Sequence, residues 1–370
     1  MKINKTLFIS IIIISLFGIL MIYSASHIWA EYKYGDPLKY VKNQALFFLL
    51  GLFLMSIVSK VNYRWYYNNA NKILLVCFIL LILVLIPGVG SVRNGSRSWF
   101  GIGPFGIQPS EAAKLGLIIF VSKYLSNNEN EIKNIKRGVL PILGLTLLMF
   151  FIIMLQPDFG TGTILVMAIV GLLFVGGVSI KFFLRIGLIG VLGVVGLIIA
   201  APYRLARILS FVDPWKDPLG SGFQIIQSLY AIGPGGLFGM GFGNSIQKHF
   251  YLPEPQTDFI FSIISEEFGF LGVVIVVTLF LIIIISCFNI CTKTNNLFSK
   301  YLAFGITFQF SFQALLNLMV VVGLIPVTGV TLPFLSYGGS SLLISMSSMG
   351  ILLNISRNQC INNNHSIKQK

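Results

Sequence analysis

Residues 268–286 read FGFLGVVIVVTLFLIIIIS, and no charged side chain interrupts them. As a helix this stretch would be about 28 Å long, close to the thickness of the hydrocarbon core of a bilayer. Similar apolar windows recur at 7–24, 45–59, 72–87, 112–125, 139–155, 161–178, 186–201, 302–323 and 338–355. Together they predict an all-α polytopic membrane protein with ten transmembrane helices. Composition agrees. The 370 residues are 55% hydrophobic and only 10% charged, whereas soluble domains carry about 25% charged residues. Lys2 and Lys5 before the first window, and Ser24–Ser26 after it, imitate a signal peptide. The apolar stretch exceeds the about 7–15 residues of such a segment, so an uncleaved first span is expected.

Orientation follows from the basic residues of the loops. With the N-terminus inside, 16 Lys and Arg fall on the cytoplasmic side and 9 outside, which places both termini in the cytoplasm. The net charge of +14 is then a matter of topology and anionic lipid headgroups and implies no nucleic-acid partner. Cys77, Cys287, Cys291 and Cys360 lack CxxC spacing, and His27, His249 and His365 are scattered; neither a disulfide nor a metal site is implied. Residues 1–357 read as a single transmembrane domain and 358–370 as a short polar cytoplasmic tail.

Most connections are short. The exception is a large extracellular loop, 202–258, between the seventh and eighth helices, and loops of that length are usually functional. Within it FQIIQSLYAI (223–232) has helical spacing with Gln224 and Gln227 on a polar side, as expected of a short helix in the outer interface. GPGGLFGMGFG (233–243) follows, suited to tight turns or close backbone approach. The outer segments VRNGSRSWFGIGPFGIQPSEAAK (92–114), LQPDFGTG (155–162) and PVTGVTLPFLSYGGSS (326–341) face the same side.

An ionisable group at membrane depth costs about 2.5–3.5 kcal/mol by insertion scales and is a functional candidate for that reason. Glu111 and Lys114, three apart at a helix start, share one face: either they neutralise each other for entry into lipid, or they line a polar cavity. Asp158 follows Pro157 as a turn or cap residue, or serves the same cavity. Asp258 could cap the helix after it. A general base is the alternative role, and that one requires a carboxylate. Glu266 and Glu267 read as structural, marking where an interfacial segment ends and the eighth span begins. Arg93, Arg97, Arg204, Arg207 and Lys248 are outer cations, suited to lipid headgroups or to a diphosphate. No GxxxxGK[ST] or strand-linked GxGxxG motif occurs, so the driving energy must arrive with the substrate or from a gradient.

RNGSRSWFGIGPFGIQPSEAAK, QPDFGTGT, the loop from DPLGSGF to QTDFIFSIISEE and GLIPVTGVTLPFLSYGGSSLL resemble the SEDS family (shape, elongation, division and sporulation), on its FtsW and SpoVE branch rather than with RodA. The resemblance runs from the first span to Arg357. It implies a peptidoglycan glycosyltransferase of the bacterial cytoplasmic membrane that polymerises lipid II, with Asp258 as the extracellular catalytic Asp. Glu111, Lys114 and Asp158 would then be polar cavity residues, with Gln108 and Glu254 as further candidates, and the partner a class B penicillin-binding protein. Inverting displacement of undecaprenyl diphosphate needs a base for the attacking hydroxyl and positive charge for the leaving group, with no covalent nucleophile. Asp258 suits the first need; Arg97, Lys114, Arg204, Arg207 and Lys248 are candidates for the second. A divalent cation, Mg or Mn, could share that role, though no dedicated site is visible. The rival functions are a lipid II flippase and a non-catalytic scaffold for the penicillin-binding protein.

Overall fold

The computed structural model describes residues 4–93, 95–101, 106–132, 134–199, 211–220 and 222–367. Arg204 and Arg207 lie outside the described residues. The α-helices are α1 (Lys5–Tyr34), α2 (Lys39–Val58), α3 (Tyr63–Leu83), α4 (Pro109–Asn127), α5 (Leu140–Met154), α6 (Phe159–Val175), α7 (Ile180–Ile199), α8 (Phe223–Ile232), α9 (Ile260–Thr292), α10 (Leu297–Val321) and α11 (Gly339–Ile367). Two short strands, β1 (Ser91–Arg93) and β2 (Ser96–Trp99), lie between α3 and α4.

Among the described residues seven helices are long and apolar enough to cross a membrane: α1, α2, α3, α5 with the π turn before it (Ile135–Met154), α9, α10 and α11 as far as Arg357. This is an integral membrane protein of many passes. α6 is apolar but only 17 residues long. α4 carries Glu111, Lys114 and Lys123 within 19 residues, so its apolarity alone does not mark it as a span.

α10 sits in the middle, against α4, α6, α9 and α11. Lipid tails are as apolar as the side chains, so close packing holds such a bundle together more than the hydrophobic effect does. Gly305 of α10 illustrates it: a Cβ there would meet Ile118 of α4 and Leu172 of α6. At the other extreme α7 sheds its side chains outward, with Leu184 71% and Leu188 67% exposed, as a lipid-facing helix can at no cost. Caps define several helix starts: Asn4, Asn62 and Asn296 each accept a hydrogen bond from a backbone N–H of the first turn, satisfying donors that a helix leaves open.

The segment between α8 and α9 explains its glycines. α9 is broken at Gly269, whose φ of 61° and ψ of −156° are not helical. The loop before α9 fills the break backbone to backbone. Met240 and Gly241 N–H donate to the Glu266 and Glu267 carbonyls at 2.9 and 3.0 Å, while Phe270 and Leu271 N–H donate to those of Gly236 and Leu237 at 2.9 and 3.1 Å. A Cβ on Gly239, itself at φ +78°, would strike the Glu267 carbonyl. The boundary expected after Glu267 is thus a break inside one helix rather than the end of a separate segment.

α8 matches the expected helix 223–232, but its inner face is not purely apolar. The Ser228 hydroxyl is buried, 2.8 Å from Ser262 Oγ of α9 and 2.7 Å from the Val321 carbonyl of α10. The hairpin was not anticipated. Strands of three and four residues show too little alternation to be read from sequence. They pair antiparallel, Val92 opposite Arg97 and Arg93 opposite Ser96.

Candidate active site

α4 begins at Pro109 with Gln108 as its N-cap residue, which puts Glu111 and Lys114 in its first two turns, facing the bundle. Glu111 is 6% and Lys114 1% exposed, and their charged groups meet at 2.9 Å. Breaking such a pair by removing one partner typically costs about 3–5 kcal/mol, because the other charge stays buried. Lys114 Nζ also donates to Gln313 Oε1 of α10 at 3.1 Å. Two of its three ammonium donors are therefore used among the described residues.

Gln313 and Asn317 stand one turn apart on α10, and both are buried. The amide of Gln313 donates to the Thr331 carbonyl at 3.1 Å. That of Asn317 donates to the Asp258 carbonyl at 2.8 Å and the Val330 carbonyl at 2.7 Å. One face of α10 thus ties the buried ion pair of α4, the 322–338 connection and Asp258, two residues before α9. Neither amide was singled out from the sequence. The available signal was two amides four apart in an otherwise apolar span, FQALLNLM, where each must find a partner inside the bundle.

Asp258 is half-buried, and its Oδ1 accepts from Thr257 Oγ1 at 2.9 Å. Thr257 in turn bonds the Glu254 carbonyl through both its hydroxyl and its N–H, at 2.7 and 3.0 Å. Glu254 is exposed, with φ of +47°. Nearby, the Tyr337 N–H donates to the Gln256 carbonyl at 2.8 Å. Asp258 is thereby held through its carboxylate by Thr257 and through its backbone carbonyl by Asn317.

Asp158 caps α6, accepting from Thr161 N–H at 3.1 Å, and its other oxygen accepts from Gln108 Nε2 at 2.8 Å. Burial pushes its carboxyl above the ordinary value, against the hydrogen bonds from Thr161; Glu111 adds to the rise and Lys114 opposes it. Asp158 is thus a cap, and it lies within electrostatic reach of the Glu111–Lys114 pair.

The remaining candidates are placed differently. Arg97, in β2, is half-buried and directs Nη1 at the Leu85 carbonyl, 3.5 Å away. Lys248 turns inward, 2% exposed. Its ammonium pairs with Glu267 at 3.3 Å and bonds Ser24 Oγ and the Gly243 carbonyl. Instead of standing among the outer cations it is a buried strut, because Glu267 and Ser24 supply the partners its charge needs in a water-poor place. Glu266 and Glu267 are structural: Glu266 accepts from Ser245 Oγ and Ile246 N–H at 2.5 and 2.8 Å, and Glu267 from Ser24 Oγ at 2.5 Å. Among the described residues no three His, Cys, Asp or Glu side chains gather as a metal-ligand set.

Residues 4–361 match the model of the FtsW/RodA/SpoVE family, described as cell cycle protein. Stage V sporulation protein E of Bacillus subtilis (strain 168) is 53% identical over 341 residues, covering 92% of this chain and 93% of that protein. A probable peptidoglycan glycosyltransferase FtsW of Geobacter sp. (strain M18) is 40% identical over 346 residues, covering 93% and 94%. A chain from a structure titled "Structural coordination of polymerization and crosslinking by a peptidoglycan synthase complex" superposes with a TM-score of 0.80 at 32% identity, covering 97% of this chain and 99% of that one. Since the match takes in the buried α4–α10 pair, the glycine loop and the Asp258 segment alike, this chain belongs to the FtsW/RodA/SpoVE family.

Proposed function

We propose that this protein is a peptidoglycan glycosyltransferase of the cytoplasmic membrane that polymerises lipid II into β-1,4 glycan strands on the outer face. Ten spans with both ends inside, and residues 1–357 as one membrane unit, complete the reading. The observation that carries it is the tie made by Gln313 and Asn317 between the buried Glu111–Lys114 pair and Asp258. It fixes the backbone of Asp258 and the ammonium of Lys114 on one face of α10, one turn apart, and a substrate with sugars outside and a lipid tail in the bilayer calls for a base and a cation held together in this way.

In this scheme the GlcNAc 4-hydroxyl of the acceptor attacks the anomeric carbon of the donor strand. Asp258 takes the hydroxyl proton as the C–O bond to undecaprenyl diphosphate breaks, and the configuration inverts in a single displacement. Lys114 offers its remaining donor to the departing diphosphate, with Arg97 as a second cation nearer the surface. Gln108 and Asp158 shape the wall beside Glu111. A class B penicillin-binding protein is the expected partner, receiving the strands for cross-linking.

The test is polymerisation of purified lipid II by the detergent-solubilised protein with a penicillin-binding partner that lacks a glycosyltransferase domain. Wild type should make strands and Asp258→Asn none, at equal complex formation. Equal strands from both would remove Asp258 from the role of base. Transport of lipid II across vesicles without any polymer would instead favour the flippase.

A further inference from the structure

We propose that the outer ends of α1 and α2, together with Phe250 and Tyr337, form an aromatic rim that holds the growing glycan strand as it leaves Asp258. This rests on the glycosyltransferase reading above. The rim is continuous with the site: the Tyr337 N–H is bonded to the Gln256 carbonyl, two residues before Asp258. The Tyr337 ring packs edge-on to Tyr40 at 4.9 Å, and Tyr40 to Tyr34 at 6.1 Å. Lys33 Nζ lies 5.6 Å from the Tyr34 ring and 5.4 Å from that of Trp29, bridging the two. Phe250 then completes the rim, 5.5 Å from Trp29 and 5.3 Å from Tyr32.

Three features point to a ligand beyond lipid. First, Phe250 is held at φ +65°, a conformation that bulky residues rarely adopt and that clusters at functional sites. The residue nevertheless stays 50% exposed, so the strain is not repaid by burying it. Second, α1 carries its last ring past the interface. From Leu7 to Tyr34 it covers about 40 Å, against a hydrocarbon core of about 30 Å, so with Leu7 at the inner edge of the core Tyr34 stands beyond a headgroup layer of about 5–8 Å, with Trp29 and Tyr32 within it. Tyr32 is 77% and Tyr34 42% exposed there.

Third, the rings present edges and faces with polar tips, and ammonium groups stand over them: Lys39 Nζ lies 3.1 Å from the Tyr34 centroid. Amphipathic rings of this kind suit a ligand with apolar C–H faces and a hydroxyl rim, and the lysines suit the carboxylates that such a strand carries. A β-linked amino-sugar strand has both properties. By holding the product after each addition, the rim keeps the strand end near Asp258 and lengthens the polymer.

The experiment uses the full chain in complex with its penicillin-binding partner. Two variants are compared with wild type, Tyr32→Ala combined with Tyr34→Ala, and Phe250→Gly, which keeps the left-handed backbone while deleting the ring. Binding of a peptide-free oligosaccharide of alternating GlcNAc and MurNAc is measured by saturation-transfer NMR, and strand length by gel after polymerisation of lipid II. Wild type should bind the oligosaccharide, and each variant should bind it about tenfold more weakly and make shorter strands. Unchanged affinity with unchanged strand length would overturn the proposal. So would variants that bind the oligosaccharide normally but lose the partner, since the rim would then be a protein-docking surface. If wild type consumes no lipid II, the glycosyltransferase reading fails, and the oligosaccharide binding still decides the rim by itself.

Discussion

Asp158 and Lys114 show how many tasks one ionisable side chain can combine. Burial raises the carboxyl of Asp158, so folding favours its protonated form. The stability this contributes is present below the ordinary carboxylate range and is lost as pH rises through the raised value. Asn caps helices as well as Asp and carries no charge at any pH. The stability of wild type relative to Asp158→Asn should therefore fall as pH rises from the carboxylate range, measured by thermal unfolding in detergent; a difference that grows with pH would contradict the raised value. Asp158→Ala loses the cap as well, a loss of about 1 kcal/mol. For the ion pair, Lys114→Met alone leaves Glu111 buried without its cation and should cost about 3–5 kcal/mol. Adding Glu111→Gln should recover most of that stability without restoring lipid II polymerisation. Recovery of both would reduce the pair to a device for entering lipid. The carboxylates and Lys114 were legible in the sequence because charge inside an apolar run stands out. Lys248 was misplaced because nothing local says that Glu267 and Ser24 wait for it.

At the scale of elements, α10 and the break in α9 position the site. Asn317→Leu would leave the Asp258 and Val330 carbonyls without their shared donor, at about 1–3 kcal/mol for buried groups left unpaired. It should also reduce polymerisation more than Leu substitutions elsewhere on α10, read as kcat at matched folded fraction; an equal effect everywhere would make Asn317 a packing residue only. The glycine loop makes its own prediction. Gly239→Ala places a Cβ against the Glu267 carbonyl at a positive φ, so the loop should detach from the α9 break and the 236–250 segment become sensitive to protease. Resistance equal to wild type would mean that the break does not depend on the loop. The glycines were visible in the sequence as a segment capable of close approach. The surface they approach was not, because the carbonyls of Glu266 and Glu267 are freed only when α9 breaks at Gly269.

For the whole molecule the question is how the bundle sits in the membrane. Cys77, Cys287 and Cys291 are buried, so with Cys360 replaced by Ser a single new thiol can report the side. Leu219→Cys, at a position 89% exposed, should react with an impermeant maleimide in intact cells, and Asn130→Cys only after permeabilisation. The reverse pattern would invert the topology on which the outer site depends. The sequence by itself determined that this is a helical membrane protein and, through its motifs, its family, and it set the orientation and the site segments as expectations. All of these are carried by local composition: length of apolar runs, basic residues in loops, carboxylates at helix starts. Only the tertiary structure decided which of those groups meet. Lys114, paired with Glu111, finds Gln313, Asn317 holds the Asp258 carbonyl, and Lys248 turns to Glu267. The physical reason is that inside a bilayer every polar group must find its partner within the protein, and these partners lie up to about two hundred residues away along the chain.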